Sequence, residues 1–137
     1  MVRPEILHKR LRKLDEYLTI LRQMQRYSLQ EFLSHPERYG STERFLQLSI
    51  ETLIDLGNHI IADLNLGSVD WYSDVPRRLH EAGYLDQATE QNWIRMIGFR
   101  NVLVHEYLDI DRKIVYQVLQ ENLGDLEKLK QFFLQFL

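Results

Sequence analysis

Apolar side chains recur at helical spacing along nearly the whole of this sequence, and little interrupts them. Leu46, Ile50, Leu53, Ile54, Ile60, Ile61 and Leu64 follow one face of a 3.6-residue repeat, with Gly57 among them. Leu7, Leu11, Leu14, Leu18, Leu21, Leu29 and Phe32 do the same after Pro4. Only 6 Gly and 3 Pro occur in 137 residues, mostly where helices should start or stop. No convincing strand, internal repeat or low-complexity tract is present. The spacing predicts an all-α fold, an antiparallel helical bundle of four long helices plus a short one, in a single domain over residues 1–137.

The boundaries follow from local chemistry. A first helix is predicted from Pro4 to about Ser34-His35-Pro36, because proline disfavours helical geometry in the residue before it. Arg10, Lys13, Arg22 and Arg26 lie off its stripe and are expected in solvent. A second helix begins near Ser41 or Thr42 and ends between Asn65 and Gly67. Gly57 costs that helix about 1 kcal/mol relative to Ala, so a close helix contact is expected there. Asp74-Val75-Pro76 reads as a cap followed by an early helical proline, with Gly83 as the stop. Asp86 should cap a fourth helix running through Trp93, Ile97 and Leu103 to about His105. A fifth is expected from Asp109 or Asp111, carrying Val115, Leu119, Leu126, Leu129 and Phe133.

Charge excludes one class of function. With 17 Lys+Arg against 20 Asp+Glu, the formal net charge of −3 argues against coating nucleic acid through bulk positive charge. The charge is unevenly spread, because residues 1–30 hold 7 Lys+Arg and 3 Asp+Glu and the other 107 residues hold 10 and 17. A basic first helix thus sits on an acidic body, which leaves room for a local site on RNA. The absence of cysteine removes disulfides, thiolate zinc sites and thiol nucleophiles. The N-terminus lacks the apolar stretch of a signal peptide, and no segment approaches the roughly 18 apolar residues of a membrane span. The expected location is the cytoplasm, with no membrane partner and no metal or other cofactor.

The fourth helix carries the chemistry. On an ideal wheel Trp93, Ile97 and Val104 fall on one line with Arg100 among them, while Met96, Phe99 and Leu103 form a second. Ile94, Gly98, Asn101 and His105 form a third. A helix apolar nearly all round should be central in the bundle or buried in an interface. Arg100 cannot be deprotonated there, so it needs an anion or a water-filled cleft. A structural pairing with a core carboxylate such as Asp55 would satisfy it. Arg100 and His105 lie about 140° apart on the wheel, whereas Asn101 and His105 share a face, so Asn101 is the better candidate to orient the imidazole.

Arg100-Asn101-Val102-Leu103-Val104-His105-Glu106-Tyr107 sets four residues between Arg and His, one between His and Tyr, and Asn directly after the Arg. This pattern resembles the HEPN superfamily, in particular the HepT-like toxins of small bacterial helical proteins. Residues 43–51, Leu53 to Ile61 with Asp55-Leu56-Gly57-Asn58-His59, Tyr72-Ser73-Asp74-Val75, Glu81-Ala82-Gly83 and Met96 to Asn101 extend the resemblance over roughly residues 41–112. The first and last helices match in character only. The resemblance implies a metal-independent endoribonuclease, with Arg100 and His105 as the catalytic pair and Asn101 beside them, in a cleft between the two protomers of a homodimer. It also implies a cognate MNT-type nucleotidyltransferase antitoxin that attaches AMP to Tyr107. The residue types suit this chemistry: a His moves protons near neutral pH, and a guanidinium stabilises a crowded phosphate. Gly98, on the Asn101–His105 line, would let two backbones approach. Two other readings remain: a non-catalytic HEPN-type dimeric scaffold for a nucleotidyltransferase, and a dimeric helical regulator whose Arg100 and His105 are structural.

Other polar residues are weaker candidates. Asp55, Asn58 and His59 cluster without the ligand set of a metal site, and are expected to line the dimer groove or hold Arg100. Asp109 and Asp111 read as helix caps. Arg77, Arg78, Arg95 and Arg112 are candidate RNA-phosphate contacts or simply solvated. His8, His35 and His80 show no partner. Trp93 and Phe99 read as core rather than as platforms for bases.

Overall fold

A computed structural model describes residues 3–137, so Met1 and Val2 lie outside the described residues. Every regular element among them is helical: α1 (Pro4–Met24), α2 (Leu29–Leu33), α3 (Pro36–Leu64), α4 (Asp74–Glu81), α5 (Gln87–His105), α6 (Arg112–Glu121) and α7 (Leu123–Leu134). None of them is long and apolar enough to cross a membrane.

The axis is α3. Leu46, Ile50, Leu53, Ile54, Leu56, Ile60 and Ile61 are each at most 3% exposed, and α3 packs against every other helix. Its burial on several sides explains why its stripe reads so cleanly. Against it α1 buries Leu7, Leu11, Leu14, Leu18 and Leu21. Each such burial is worth about 1.5–3 kcal/mol, which more than offsets an N-cap, Arg3, whose side chain makes no capping hydrogen bond. From α5, the fully buried Trp93 meets Phe133 of α7 edge to face, with ring centroids 5.7 Å apart.

Several expected boundaries move. The first long helix is two, because the chain turns at Gln25–Ser28 and Ser28 then forms a reciprocal capping box with Glu31. The carbonyls freed at the turn are claimed by α6: Tyr116 donates to Tyr27 at 2.7 Å and Gln120 to Gln25 at 2.9 Å. Pro36, read as a stop, is also the first residue of α3, where its missing N–H costs nothing. The last long helix likewise breaks at Asn122, whose side chain turns to the Asp125 carboxylate at 3.0 Å. The described residues therefore make seven helical segments rather than four long helices and a short one. The end of α3 falls where expected, with Asn65 in the left-handed region at φ 55.

Gly57 is the close contact its position implied. A Cβ built there would overlap Cγ1 of Val75 on α4 and lie 3.3 Å from Cη2 of Trp93 on α5. Val75 and Trp93 are fully buried, so neither can retreat into solvent. Gly57→Ala should improve intrinsic helix propensity by about 1 kcal/mol yet destabilise the protein by about 1–3 kcal/mol through overpacking. Urea denaturation measures the sum, and a stabilised variant would contradict this packing.

Candidate active site at the end of α5

The start of α5 is fixed by Asp86, whose carboxylate accepts from the Thr89 backbone N–H at 2.7 Å. Hydrogen bonds from Thr89 hold that carboxyl below its ordinary pKa. The helix ends at His105: Glu106 leaves helical geometry while its N–H still reaches the Val102 carbonyl at 2.9 Å. Trp93, Met96, Ile97 and Leu103 face the core, whereas Gly98, Asn101, Val102 and His105 are exposed. Expected to be central in the bundle or buried in an interface, the helix packs on α3 and α4 and leaves one face open. Its third line, from Ile94 through Gly98 and Asn101 to His105, borders an open cleft. Nothing lies within 4 Å of a Cβ built on Gly98.

Arg100 points the other way, toward α3. Its side chain is only 13% exposed, and Nε donates to Oε2 of Glu51 at 2.9 Å. The same Glu51 oxygen accepts from Gln47 at 3.0 Å. The guanidinium carbon lies 5.1 Å from the Tyr72 ring centroid, and Nη1 donates to Oδ1 of Asn101 at 3.1 Å. Two expectations are corrected here. The carboxylate that holds Arg100 is Glu51, not Asp55, which one turn further along α3 pairs with Arg10 of α1. Asn101 gives its carbonyl oxygen to Arg100 rather than orienting His105, because Glu51 draws the guanidinium over the edge of the helix within reach of that amide.

The clefts of this region share walls. One brings Arg100, Asn101 and His105 together with Trp71, Tyr72 and Ser73. A second places Arg100 and Tyr72 against Glu51, Asp55 and Asn58. A third continues past Glu51 and Asp55 to Lys9, Arg10 and Lys13 on the basic first helix. Of the weaker candidates, Asp55 and Asn58 thus line the groove beside Arg100, while His59 stands behind with Nε2 3.9 Å from Asp55. Among the described residues no group of three His, Asp or Glu side chains is placed to hold a metal ion. Tyr107 follows α5 on a turn closed by the Asp109 N–H to the Glu106 carbonyl at 3.0 Å, and is 64% exposed.

The segment before α4 is unusually well held. Oδ2 of Asp74 accepts the backbone N–H groups of Asp70 and Trp71, both at 3.0 Å. These bonds, the one from Trp71 first, hold its carboxyl below the ordinary value. Asp74 is not the cap of the short helix that its sequence context predicts; it is the first residue of α4 and caps the turn before it. The N–H groups of Asp74 and Val75 return bonds to the carbonyls of Trp71 and Tyr72, at 2.9 and 3.1 Å. Glu51, Trp71, Tyr72 and Arg10 were missed as site residues. The usable signal for Glu51 was its place one helical turn before Asp55 on the same face.

The remaining candidates are accounted for locally. Arg78 bonds the Ser68 carbonyl and Glu81, Arg77 bonds Ser73, Arg95 bonds Asn92, and Arg112 faces Glu43 at 3.3 Å over the Tyr39 ring. Burial pushes the Glu43 carboxyl up despite Arg112. His80, expected to lack a partner, donates from Nδ1 to the Leu85 carbonyl at 2.7 Å, and His35 contacts Ser34 at 2.9 Å. Asp111 caps α6 through the Lys113 N–H at 3.0 Å, whereas Asp109 stands outside it. Trp93 is core, as expected, and Phe99 packs half-buried against the core cluster.

The sequence matches the family described as Ribonuclease HepT-like over residues 14–133. It is 32% identical over 118 residues to a tRNA nuclease HepT of Aphanizomenon flos-aquae, an alignment covering 86% of this chain and 80% of that one. It is 34% identical over 83 residues to an mRNA nuclease HepT of Shewanella oneidensis, covering 61% and 62% of the two chains. The fold superimposes on a tri-AMPylated Shewanella oneidensis HEPN toxin, solved in complex with an MNT antitoxin, with a TM-score of 0.87. That comparison is at 25% identity over 95% of this chain and 97% of that one.

The anchoring of Trp71 and Tyr72 depends on Asp74 being charged. A carboxyl whose pKa is lowered by folding adds stability that is fully present above its ordinary value of 3.8 and disappears as pH falls through the folded value. Asp74→Asn should therefore be less stable than the parent chain at pH 7, and the gap should narrow as pH falls below about 4. Urea midpoints at pH 7 and pH 3 test this; an equal gap at both would contradict it.

Proposed function

The chain belongs to the HepT-like ribonuclease family, and we propose that it is the RNA-cleaving toxin of a toxin–antitoxin module. Arg100 and His105 act on one phosphodiester. The observation that carries this reading is the shared cleft: a guanidinium fixed by Glu51, Asn101 and Tyr72 borders the same opening as an exposed imidazole. Fixed positive charge is most effective when it needs no reorganisation as the phosphate gains charge. Arg100 meets that condition, since Nε is bound to Glu51 and the remaining donors of its fork are available beyond the one given to Asn101.

The reaction we assign is attack by an RNA 2′-oxygen on its own phosphorus. An imidazole takes the 2′-proton, the O2′–P bond forms, and the P–O5′ bond breaks as a protonated imidazole delivers its proton to the leaving O5′. The products are a 2′,3′-cyclic phosphate and a 5′-hydroxyl, with no metal required. One protomer supplies one His at this place, and the open face of Gly98, Asn101 and His105 offers a route by which a second copy would bring another. A two-fold dimer across that face accounts for an apolar helix with an exposed side.

Tyr107 suits the regulatory step. Its exposed phenol is reachable by a nucleotidyltransferase antitoxin, whose use of ATP would join AMP to the tyrosine oxygen and release pyrophosphate. Placed two residues beyond His105, that group would add bulk and negative charge beside a cleft meant for a phosphate backbone.

Purified protein should cleave cellular RNA in excess EDTA, with Arg100→Ala and His105→Ala slower by about 10²–10⁴-fold. Equal rates from all three folded proteins would end the nuclease reading, and sedimentation showing an active monomer would end the dimer. Incubation with the cognate nucleotidyltransferase and ATP should add the mass of AMP to the parent chain but not to Tyr107→Phe. Modification of both alike would remove Tyr107 from its role.

A further inference from the structure

One large aromatic side chain in the cleft is left unexplained by the chemistry above. Trp71 is 74% exposed, whereas Trp93, the second of the 2 tryptophans, is fully buried. An indole is large and mostly apolar, and leaving it in water forfeits a substantial burial term. Exposure here does not reflect a loose chain: the Trp71 N–H is bound by Asp74 at 3.0 Å and its carbonyl accepts the Asp74 N–H at 2.9 Å. Its neighbour Tyr72 lies against the Arg100 guanidinium. A solvent-facing indole on a firmly held backbone therefore borders the same cleft as Arg100, Asn101 and His105.

Accepting the RNA-cleaving reading, on which this rests, we propose that Trp71 is a stacking platform for the base of a nucleotide adjoining the phosphate that is cut. Single-stranded RNA is recognised by unstacked bases laid on aromatic side chains, and each such contact strengthens binding while tolerating many sequences. The cleft pairs the two chemistries a nucleotide presents: cationic Arg100 for the phosphate and an aromatic face for the base. An acidic body with a net charge of −3 gains little from bulk attraction to RNA, so stacking supplies binding that charge does not. Trp71 thus acts on which RNA is held, single-stranded rather than paired, and not on proton transfer.

The second tryptophan makes the test clean, since Trp93 is out of reach of solvent. Titration with a non-cleavable 2′-O-methyl tetranucleotide should quench the exposed tryptophan emission saturably. Removing one particular base from that oligonucleotide should weaken binding about ten-fold. In Trp71→Ala the intact oligonucleotide should bind about ten-fold more weakly, and removing the same base should then cost nothing more. Trp71→Phe should recover most of the loss. In cleavage assays the Trp71→Ala effect should fall on KM rather than kcat. Independent, additive losses from the base and the indole, or an unchanged KM, would overturn the proposal. So would sedimentation showing that Trp71→Ala turns a dimer into monomers, because the indole would then belong to a second copy. If the parent chain fails to cleave RNA, the nuclease reading falls; if it cleaves and Trp71→Ala matches it, only this proposal does.

Discussion

Three helices meet where one side chain is missing. At Gly57 the backbone of α3 comes so close to Val75 and Trp93 that no Cβ fits, and this contact sets the separation of α3, α4 and α5. Without it the α4–α5 unit would stand further from the central helix. Glu51 lies on the same helix six residues earlier, and Arg100 lies on α5 seven residues after Trp93. The bond between them at 2.9 Å therefore depends on the depth to which Trp93 is seated. The turn carrying Trp71 and Tyr72 leads directly into the helix that holds Val75, so it is positioned by the same contact.

Electrostatics then divides the groove into locked and open charges. Glu51 and Asp55, one turn apart on α3, hold Arg100 and Arg10 from opposite sides. Each arginine is kept in place by a carboxylate without being surrounded, since Arg100 still borders two clefts. A guanidinium anchored through Nε and Nη1 with further N–H donors to give is a preorganised receptor for phosphate, and it loses less side-chain freedom on binding than an unanchored one. The basic end of the groove continues to Lys9 and Lys13, which gives the uneven charge of the chain a location. Its positive first helix lies along the extension of the cleft, facing Glu51 and Asp55 across it.

The fold was legible where burial followed a single period. The stripes of α1 and α3, the stop at Asn65, the Asp86 cap and the contact at Gly57 all follow from local spacing and one residue's geometry. The break at Gln25–Ser28 was not, because the partners that compensate it are about 90 residues distant in sequence: Tyr116 and Gln120 reach back to the first turn. The site divides similarly. Arg100, Asn101, His105 and Tyr107 stand within one short segment and were visible from its pattern. Glu51 was not, because Asp55 occupies the equivalent place one turn on, and only the register of α3 against α5 decides between them. Trp71 was invisible for another reason: exposure of an aromatic residue is set by the tertiary fold, and nothing local distinguishes it from a core tryptophan such as Trp93.

A proton-transferring imidazole and a fixed guanidinium acting at one RNA phosphate would leave a chemical signature on the product. Analysis of the fragment ends after cleavage in excess EDTA tests it most directly. A 2′,3′-cyclic phosphate on one fragment and a 5′-hydroxyl on the next is the predicted result. Fragments ending in a 3′-hydroxyl and beginning with a 5′-phosphate would show that water, not the 2′-oxygen, attacks, and would contradict the roles given to Arg100 and His105.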